Sequence, residues 1–82
     1  MEELTPRQRD ILALVAQGYS NQAIADQLRL SVKSVENHMN EILSRLNVNS
    51  RDPHVHPRVA AVLRYLYETQ LPHSLRDLGA ST

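Results

Sequence analysis

Residues 31–46, SVKSVENHMNEILSRL, carry side chains that can exchange hydrogen bonds with the edges of nucleic-acid bases. An Asn amide can pair with N6 and N7 of adenine, a carboxylate can accept from N4 of cytosine, and a Lys ammonium can donate to guanine or to phosphate. The candidates for base contact are Lys33, Glu36, Asn37 and Asn40. At 3.6 residues per turn all four share one side of a helix, which is the arrangement needed to read a major groove.

The opposite side of the same helix is apolar. Val35, Met39, Ile42 and Leu46 follow the spacing i, i+4, i+7 and i+11, which predicts a buried stripe. Ser31 stands where a side-chain oxygen can cap the helix start. An ordinary amphipathic surface helix has the same pattern, so the preceding segments must decide between the two interpretations.

Two helices are predicted ahead of this one. Thr5, Pro6 and Gln8 form a T-x-x-Q capping box with proline at the first helical position, and Gly18 supplies a left-handed stop. The first helix is therefore predicted over residues 6–17.

Ser20 is predicted to cap a second, short helix over residues 21–28. Ala23 and Ala25 allow this helix to approach its neighbours closely, and Leu30 is expected to fill the angle before the next helix. Two helices joined by a three-residue turn form a helix-turn-helix, with the second helix presented outward.

Composition limits the chain to one small all-α domain. Its 82 residues contain no cysteine, which excludes thiolate metal sites and fits a reducing cytoplasm. No apolar run is long enough to span a membrane, and the N-terminus is too polar for a signal peptide. We therefore expect a soluble, cytoplasmic protein. No paired carboxylates, catalytic triad or glycine-rich phosphate loop stands out, so we predict neither an enzyme nor a bound cofactor or small molecule.

The charge balance is unusual for a nucleic-acid partner. Nine basic and nine acidic residues give a formal net charge of zero, although residues 29–51 hold four basic residues and two acidic ones. A single copy is therefore expected to bind DNA weakly, because phosphate neutralisation supplies most non-specific affinity. Hydroxyl, amide and guanidinium groups near helix starts and ends are the candidates for phosphate contact: Ser20, Asn21, Ser31, Ser34, Arg45 and Arg51.

Residues 4–51 closely resemble the LuxR/GerE-type DNA-binding domain. The motifs in register are Leu4-Thr5, Gly18, Ser20-Asn21, Ile24-Ala25, Val35, His38, Leu46 and Ser50-Arg51. The resemblance implies a four-helix domain with the third helix in the major groove and, in many members, dimer contacts through the fourth helix. Region 4 of sigma factors has a related pattern and the same kind of partner, promoter DNA.

Two positions depart from the family pattern within this stretch. The family usually has Glu where this chain has Gln8, and often Lys or Arg where it has Glu36. Glu36 either accepts from cytosine or pairs with Lys33 or Asn40 along the helix. The position of His38 at the edge of the apolar stripe suggests packing more than readout.

Residues 51–57, RDPHVHP, form an insertion relative to the family. Two prolines within it predict a rigid extended loop, and Pro57 suits the first position of a fourth helix over residues 57–69. His54 and His56 invite a metal interpretation, but a zinc site needs three or four ligands and only His38 is near, so we predict no metal site.

The fourth helix has a wide apolar surface. Its members, the candidates for a homodimer interface, are Val59, Val62, Leu63, Leu66 and Tyr67. Alternatively the tail, residues 70–82, covers this surface through Leu71, Leu75 and Leu78, whose spacing and flanking Pro72 and Gly79 allow a short fifth helix.

The sequence therefore predicts a single domain that binds double-stranded DNA in a sequence-specific way and regulates transcription, as a homodimer on an inverted repeat. The alternative is a helix-turn-helix that serves as a protein-interaction module and pairs with another regulator or RNA polymerase. The chain fits either a stand-alone bacterial regulator or the output domain of a longer response regulator.

Overall fold

The computed structural model describes residues 1–48 and 52–69, and these residues form four α-helices. The helices are α1 (Pro6–Ala16), α2 (Asn21–Leu28), α3 (Val32–Arg45) and α4 (Pro57–Thr69). No strand occurs in these two ranges, so the all-α prediction is confirmed. Within the same ranges, no helix has the length and hydropathy needed to cross a membrane.

The three predicted helix starts are confirmed by their caps. In α1, the Gln8 backbone N–H donates to Thr5 Oγ1 and the Thr5 N–H donates to Gln8 Oε1, both at 3.2 Å. Ser20 Oγ accepts from the third residue of α2 at 3.1 Å, and Ser31 Oγ accepts from Ser34 N at 3.0 Å. Each cap supplies an acceptor for an N–H that has no partner inside its helix.

Each of the first three helices is followed, within two residues of its end, by a residue with left-handed backbone. These residues are Gly18 (φ 93°), Arg29 (φ 58°) and Asn47 (φ 55°). Gly18 was predicted, and α1 ends one residue earlier than expected, at Ala16, with Gln17 as its C-cap. Left-handed backbone at these three positions lets the chain turn sharply into the next segment.

The core lies where α1, α2 and α3 meet, and α4 packs onto α1 and α3. Ile11, Leu12, Ile24, Val35 and Ile42 are completely buried there. As predicted, Leu30 packs against this core from the turn between α2 and α3. The helix-turn-helix is therefore held by apolar contacts on both sides of its turn.

The prediction of a rigid extended loop over the insertion is wrong for the described part. Val55 N donates to the Asp52 carbonyl at 3.1 Å, and Asp52 Oδ1 accepts from His54 N at 2.9 Å, which closes a turn. Asp at the first position and Pro at the second favour such a turn. Pro57 then begins α4 as predicted. Arg51 and the predicted fifth helix, with Leu71, Leu75 and Leu78, lie outside the described residues.

Candidate nucleic-acid interface

The buried apolar side of α3 determines which way its polar side faces. Val35 and Ile42 are fully buried, and Met39 and Leu46 are at most 5% exposed. Helix α3 packs against both α1 and α2 through this stripe. Because rotation of α3 would expose these four side chains to water, the orientation of its outer surface is set by the core.

All four predicted base-contacting side chains lie on the outer surface of α3. Lys33, Glu36, Asn37 and Asn40 are all exposed. Within residues 1–48 and 52–69, none of the four makes a side-chain hydrogen bond or ion pair. The alternative pairing of Glu36 with Lys33 or Asn40 is therefore absent there, and these polar groups are available to a ligand.

His38 lies beside this surface and is not part of it. Its side chain is half-buried, and its Nδ1 atom is buried without a hydrogen-bond partner among the described residues. This environment favours packing over base readout. His54 is exposed in the turn and His56 is exposed just before α4. No group of three potential metal ligands occurs in the described part of the chain.

The serines predicted to contact phosphate are the helix caps. Ser20 and Ser31 are exposed, and each uses an oxygen lone pair to accept from its helix. A hydroxyl that accepts a hydrogen bond still has one O–H to donate. Capping and phosphate contact are therefore compatible at both positions, whereas Ser34 is only half-exposed.

Asn21 has a partner that the sequence did not indicate. Arg58, in the first turn of α4, donates through Nη1 to Asn21 Oδ1 at 3.0 Å and through Nη2 to the Tyr19 carbonyl at 3.4 Å. These bonds join positions 37 and 39 residues apart. The only sequence signal is that Arg58 resumes the family pattern after the insertion, and that signal does not name its partner.

Arg45 is already engaged within the chain. Its Nη2 lies 2.5 Å from Glu41 Oε1, and its Nη1 donates to the Glu3 carbonyl at 3.3 Å. A phosphate would therefore compete with Glu41 for this guanidinium. The positive charge of Arg45 is therefore partly balanced by Glu41 before any phosphate approaches.

A stripe of exposed apolar side chains runs along the outside of α4. Val59, Leu63 and Tyr67 are 52%, 61% and 40% exposed, at the spacing i, i+4 and i+8. Val55, in the inserted turn, is 38% exposed and continues the same spacing toward the N-terminus. We call these four residues the α4 stripe.

The other two predicted dimer residues lie elsewhere on α4. Val62 is half-buried and packs against the core beside Ala61, which is fully buried. Leu66 is half-buried and lines an open groove of about 390 Å³ between α1 and α4, together with Ala13 and Tyr65. The stripe is therefore narrower than the predicted surface.

A cluster of charged side chains connects α4 to the segment before α1. Arg64 donates to Glu68 at 2.8 Å and also contacts the Glu3 carboxylate. A hydrogen bond from the backbone and the nearby Arg64 guanidinium hold the pKa of Glu3 below its ordinary value. The hydrogen bond that Arg64 donates to Glu68 raises the pKa of Arg64, so the Arg64 guanidinium and the Glu3 carboxylate are both charged at neutral pH.

This architecture defines a class of protein: a helix-turn-helix domain with a supported outer helix, of the kind that binds duplex DNA. Residues 2–58 match the family described as bacterial regulatory proteins, luxR family, and the chain belongs to that family. Membership supports a role in regulating transcription by binding DNA.

The chain is also similar to the response regulator protein VraR of several staphylococci. It is 48% identical over 50 residues to VraR from Staphylococcus aureus (strain NCTC 8325 / PS 47), Staphylococcus saprophyticus and Staphylococcus epidermidis. The match covers 61% of this chain and 24% of each relative. The chain thus matches about a quarter of the length of these relatives.

Proposed function

We propose that this domain recognises specific DNA sequences by placing α3 in the major groove, and that it regulates transcription through this contact. The observation that carries the proposal is the outer surface of α3. Its four polar side chains are exposed and unbonded among the described residues, on a helix whose other side is buried. Asn37 and Asn40 suit adenine, Glu36 suits the N4 amino group of cytosine, and Lys33 suits guanine or phosphate.

Contacts to the DNA backbone come from both ends of the helix-turn-helix in this proposal. Ser20, Asn21 and Ser31 stand at the starts of α2 and α3, where unpaired N–H groups favour anions. Ser34 adds a hydroxyl one turn into α3, and Arg45 contributes if it exchanges Glu41 for a phosphate. Arg51 completes the set of proposed phosphate contacts.

We also propose that two copies bind together, with the α4 stripe between them. The formal net charge of the whole sequence is zero, so one copy has little electrostatic attraction for DNA, and a second copy doubles the specific contacts. Exposed apolar side chains that are aligned along a helix commonly form helix–helix interfaces. Half-sites would then lie about one helical turn apart as an inverted repeat.

The relatives suggest where such a domain acts. VraR is named a response regulator. We propose that this chain is likewise the output domain of a bacterial response regulator, working in the cytoplasm and controlled by a receiver domain.

A second candidate function is a protein-interaction module that pairs with another regulator or with RNA polymerase. The zero net charge and the carboxylate of Glu36 on the outer surface of α3 favour it. Salt separates the two functions, because DNA affinity falls steeply as salt rises when phosphates are neutralised.

The test is selection of bound duplexes from a random pool at two salt concentrations, followed by sequencing. We expect an enriched inverted repeat, bound more weakly at the higher salt and at least about tenfold more weakly by Asn37→Ala. Gln17→Ala is the control, since Gln17 lines the groove between α1 and α4 and has no part in the proposed interface. Lack of enrichment by a folded chain at either salt would overturn the proposal.

A further inference from the structure

The side chain of Arg58 joins α4 to the segment that enters α2. Its guanidinium is part-buried and donates to two acceptors at once, the Asn21 side-chain oxygen and the Tyr19 carbonyl. A planar guanidinium that meets two acceptors holds both in a fixed direction, because its donors form a rigid fork. Asn21 therefore does not rotate freely about its terminal torsion.

The oxygen and the NH₂ group of the Asn21 side-chain amide have opposite hydrogen-bonding roles. Its oxygen accepts hydrogen bonds and its NH₂ group donates them, and a half-turn of the amide exchanges the two. With the oxygen bound by Arg58, the NH₂ group is left on the opposite edge, and it donates to no other described residue. A phosphate oxygen accepts only from a donor, so the fixed orientation is the one that suits DNA, whereas the reversed one would repel it.

We propose that Arg58 is a positioning residue for DNA binding: it acts through Asn21, whose NH₂ group it orients toward a backbone phosphate. This inference rests on the proposed function and extends it, because it couples the start of α4 to the phosphate-contacting end of α2. It assigns a role in the DNA interface to a residue of the fourth helix.

The competing account is that Arg58 contacts phosphate directly through its charge. A double-mutant cycle separates the two. If Arg58 acts through Asn21, its replacement has no further effect once Asn21 is removed. If it contacts phosphate independently, the two losses multiply.

The experiment measures affinity for the selected duplex at several salt concentrations for the wild type, Asn21→Ala, Arg58→Gln and the double variant. Each single change is expected to weaken binding about tenfold, and the double variant to bind within about twofold of Asn21→Ala. Arg9→Gln is the control for the loss of one positive charge, since Arg9 is exposed and its side chain makes no hydrogen bond or ion pair with the described residues. Arg58→Lys keeps the charge but replaces the planar guanidinium with a single ammonium, so its affinity is expected to fall between those of the wild type and Arg58→Gln. It replaces Arg58→Gln in the cycle if the urea midpoint of Arg58→Gln shows loss of folding.

The outcomes divide cleanly. A double variant about a hundredfold weaker than wild type would overturn the positioning role, as would full affinity in Asn21→Ala. If Asn37→Ala weakens binding while the Asn21 and Arg58 variants do not, this inference falls and the proposed function stands. If the wild-type chain binds no duplex, both fall together.

Discussion

The guanidinium of Arg64 donates through Nη1 to the backbone carbonyl of Leu46 at 2.7 Å. Leu46 is the C-cap of α3, where carbonyls have no partner inside the helix. The same side chain reaches Glu68 within α4 and Glu3 ahead of α1. One residue of the fourth helix thus connects the end of α3 to the segment before α1.

We predict that Arg64→Met destabilises the domain by about 1–2 kcal/mol, because the Leu46 carbonyl loses its donor and the Glu3 and Glu68 carboxylates each lose an ion pair. The measurement is the free energy of unfolding in urea. Arg45→Met is the matched control: its bonds to the Glu41 carboxylate and the Glu3 carbonyl are both exposed, and exposed pairs contribute less than about 1 kcal/mol. Equal losses in the two variants would contradict a special role for Arg64.

The lowered pKa of Glu3 predicts a specific pH dependence. A carboxyl group whose pKa is lower in the folded state adds stability that is fully present above its unfolded value, 4.5, and is lost as the pH falls through the folded value. The difference in urea midpoint between wild type and Glu3→Gln should therefore be largest near neutral pH and shrink below pH 4.5. Glu2→Gln controls for the removal of one exposed negative charge. A difference that grows in acid would show the opposite shift.

Arg29 is predicted to be a site of stored backbone strain. Its φ of 58° lies in the left-handed region, which costs a residue with a Cβ about 1 kcal/mol relative to glycine. Arg29→Gly should stabilise the domain by about 0.5–1 kcal/mol, whereas Gly18→Ala should destabilise it by a similar amount. Apart from Gly18 itself and its two chain neighbours, no residue has an atom within 4 Å of a Cβ at position 18, so the loss there would come from the backbone alone. A loss of stability in Arg29→Gly would show that the side chain makes a contact of greater value.

The sequence predicts most of this fold because most of its signals are local. Thr5 with Gln8, Ser20 and Ser31 each act within three residues, and the stripe on α3 requires only helical periodicity. The turn at Asp52 was missed although its signal is equally local, because the two prolines of the insertion were interpreted as extended chain.

Other features depend on the fold and could not be predicted from local pattern. Position 29 holds arginine, whereas glycine or asparagine usually signals left-handed backbone. The contacts of Arg58 with Asn21, and of Arg64 with Leu46, exist only because α4 packs beside the earlier helices. The same packing turns Val62 inward, a direction that periodicity alone does not determine.

The α4 stripe leads to a prediction about assembly. Leu63 is 61% exposed, so Leu63→Glu should leave the unfolding free energy of the isolated domain nearly unchanged. If the stripe is the dimer interface, the same change should raise the dimer dissociation constant at least about tenfold, since it places a charge in an apolar contact. Sedimentation at several concentrations measures this. Arg7→Glu, on the exposed surface of α1, is the control, and dimers that survive Leu63→Glu would place the interface elsewhere.

Two substitutions at Ser31 can separate its capping role from its proposed contact with DNA phosphate. Aspartate caps a helix as well as serine does and its charge favours the helix start, so Ser31→Asp should keep the stability of the domain. Ser31→Ala removes the bond from Ser34 N and should cost about 1 kcal/mol.

The order of these variants in affinity for the selected duplex should differ from their order in stability. A carboxylate at the start of α3 repels phosphate, so Ser31→Asp should lose at least about tenfold in affinity while it remains fully folded. Urea unfolding and duplex titration on the same samples provide both numbers. Full affinity in Ser31→Asp would remove Ser31 from the proposed backbone contacts and leave it only a cap. In the other outcome, Ser31→Asp alone loses affinity, while Ser31→Ala binds nearly as well as the wild type after correction for its folded fraction. That result would show that the start of α3 lies against phosphate.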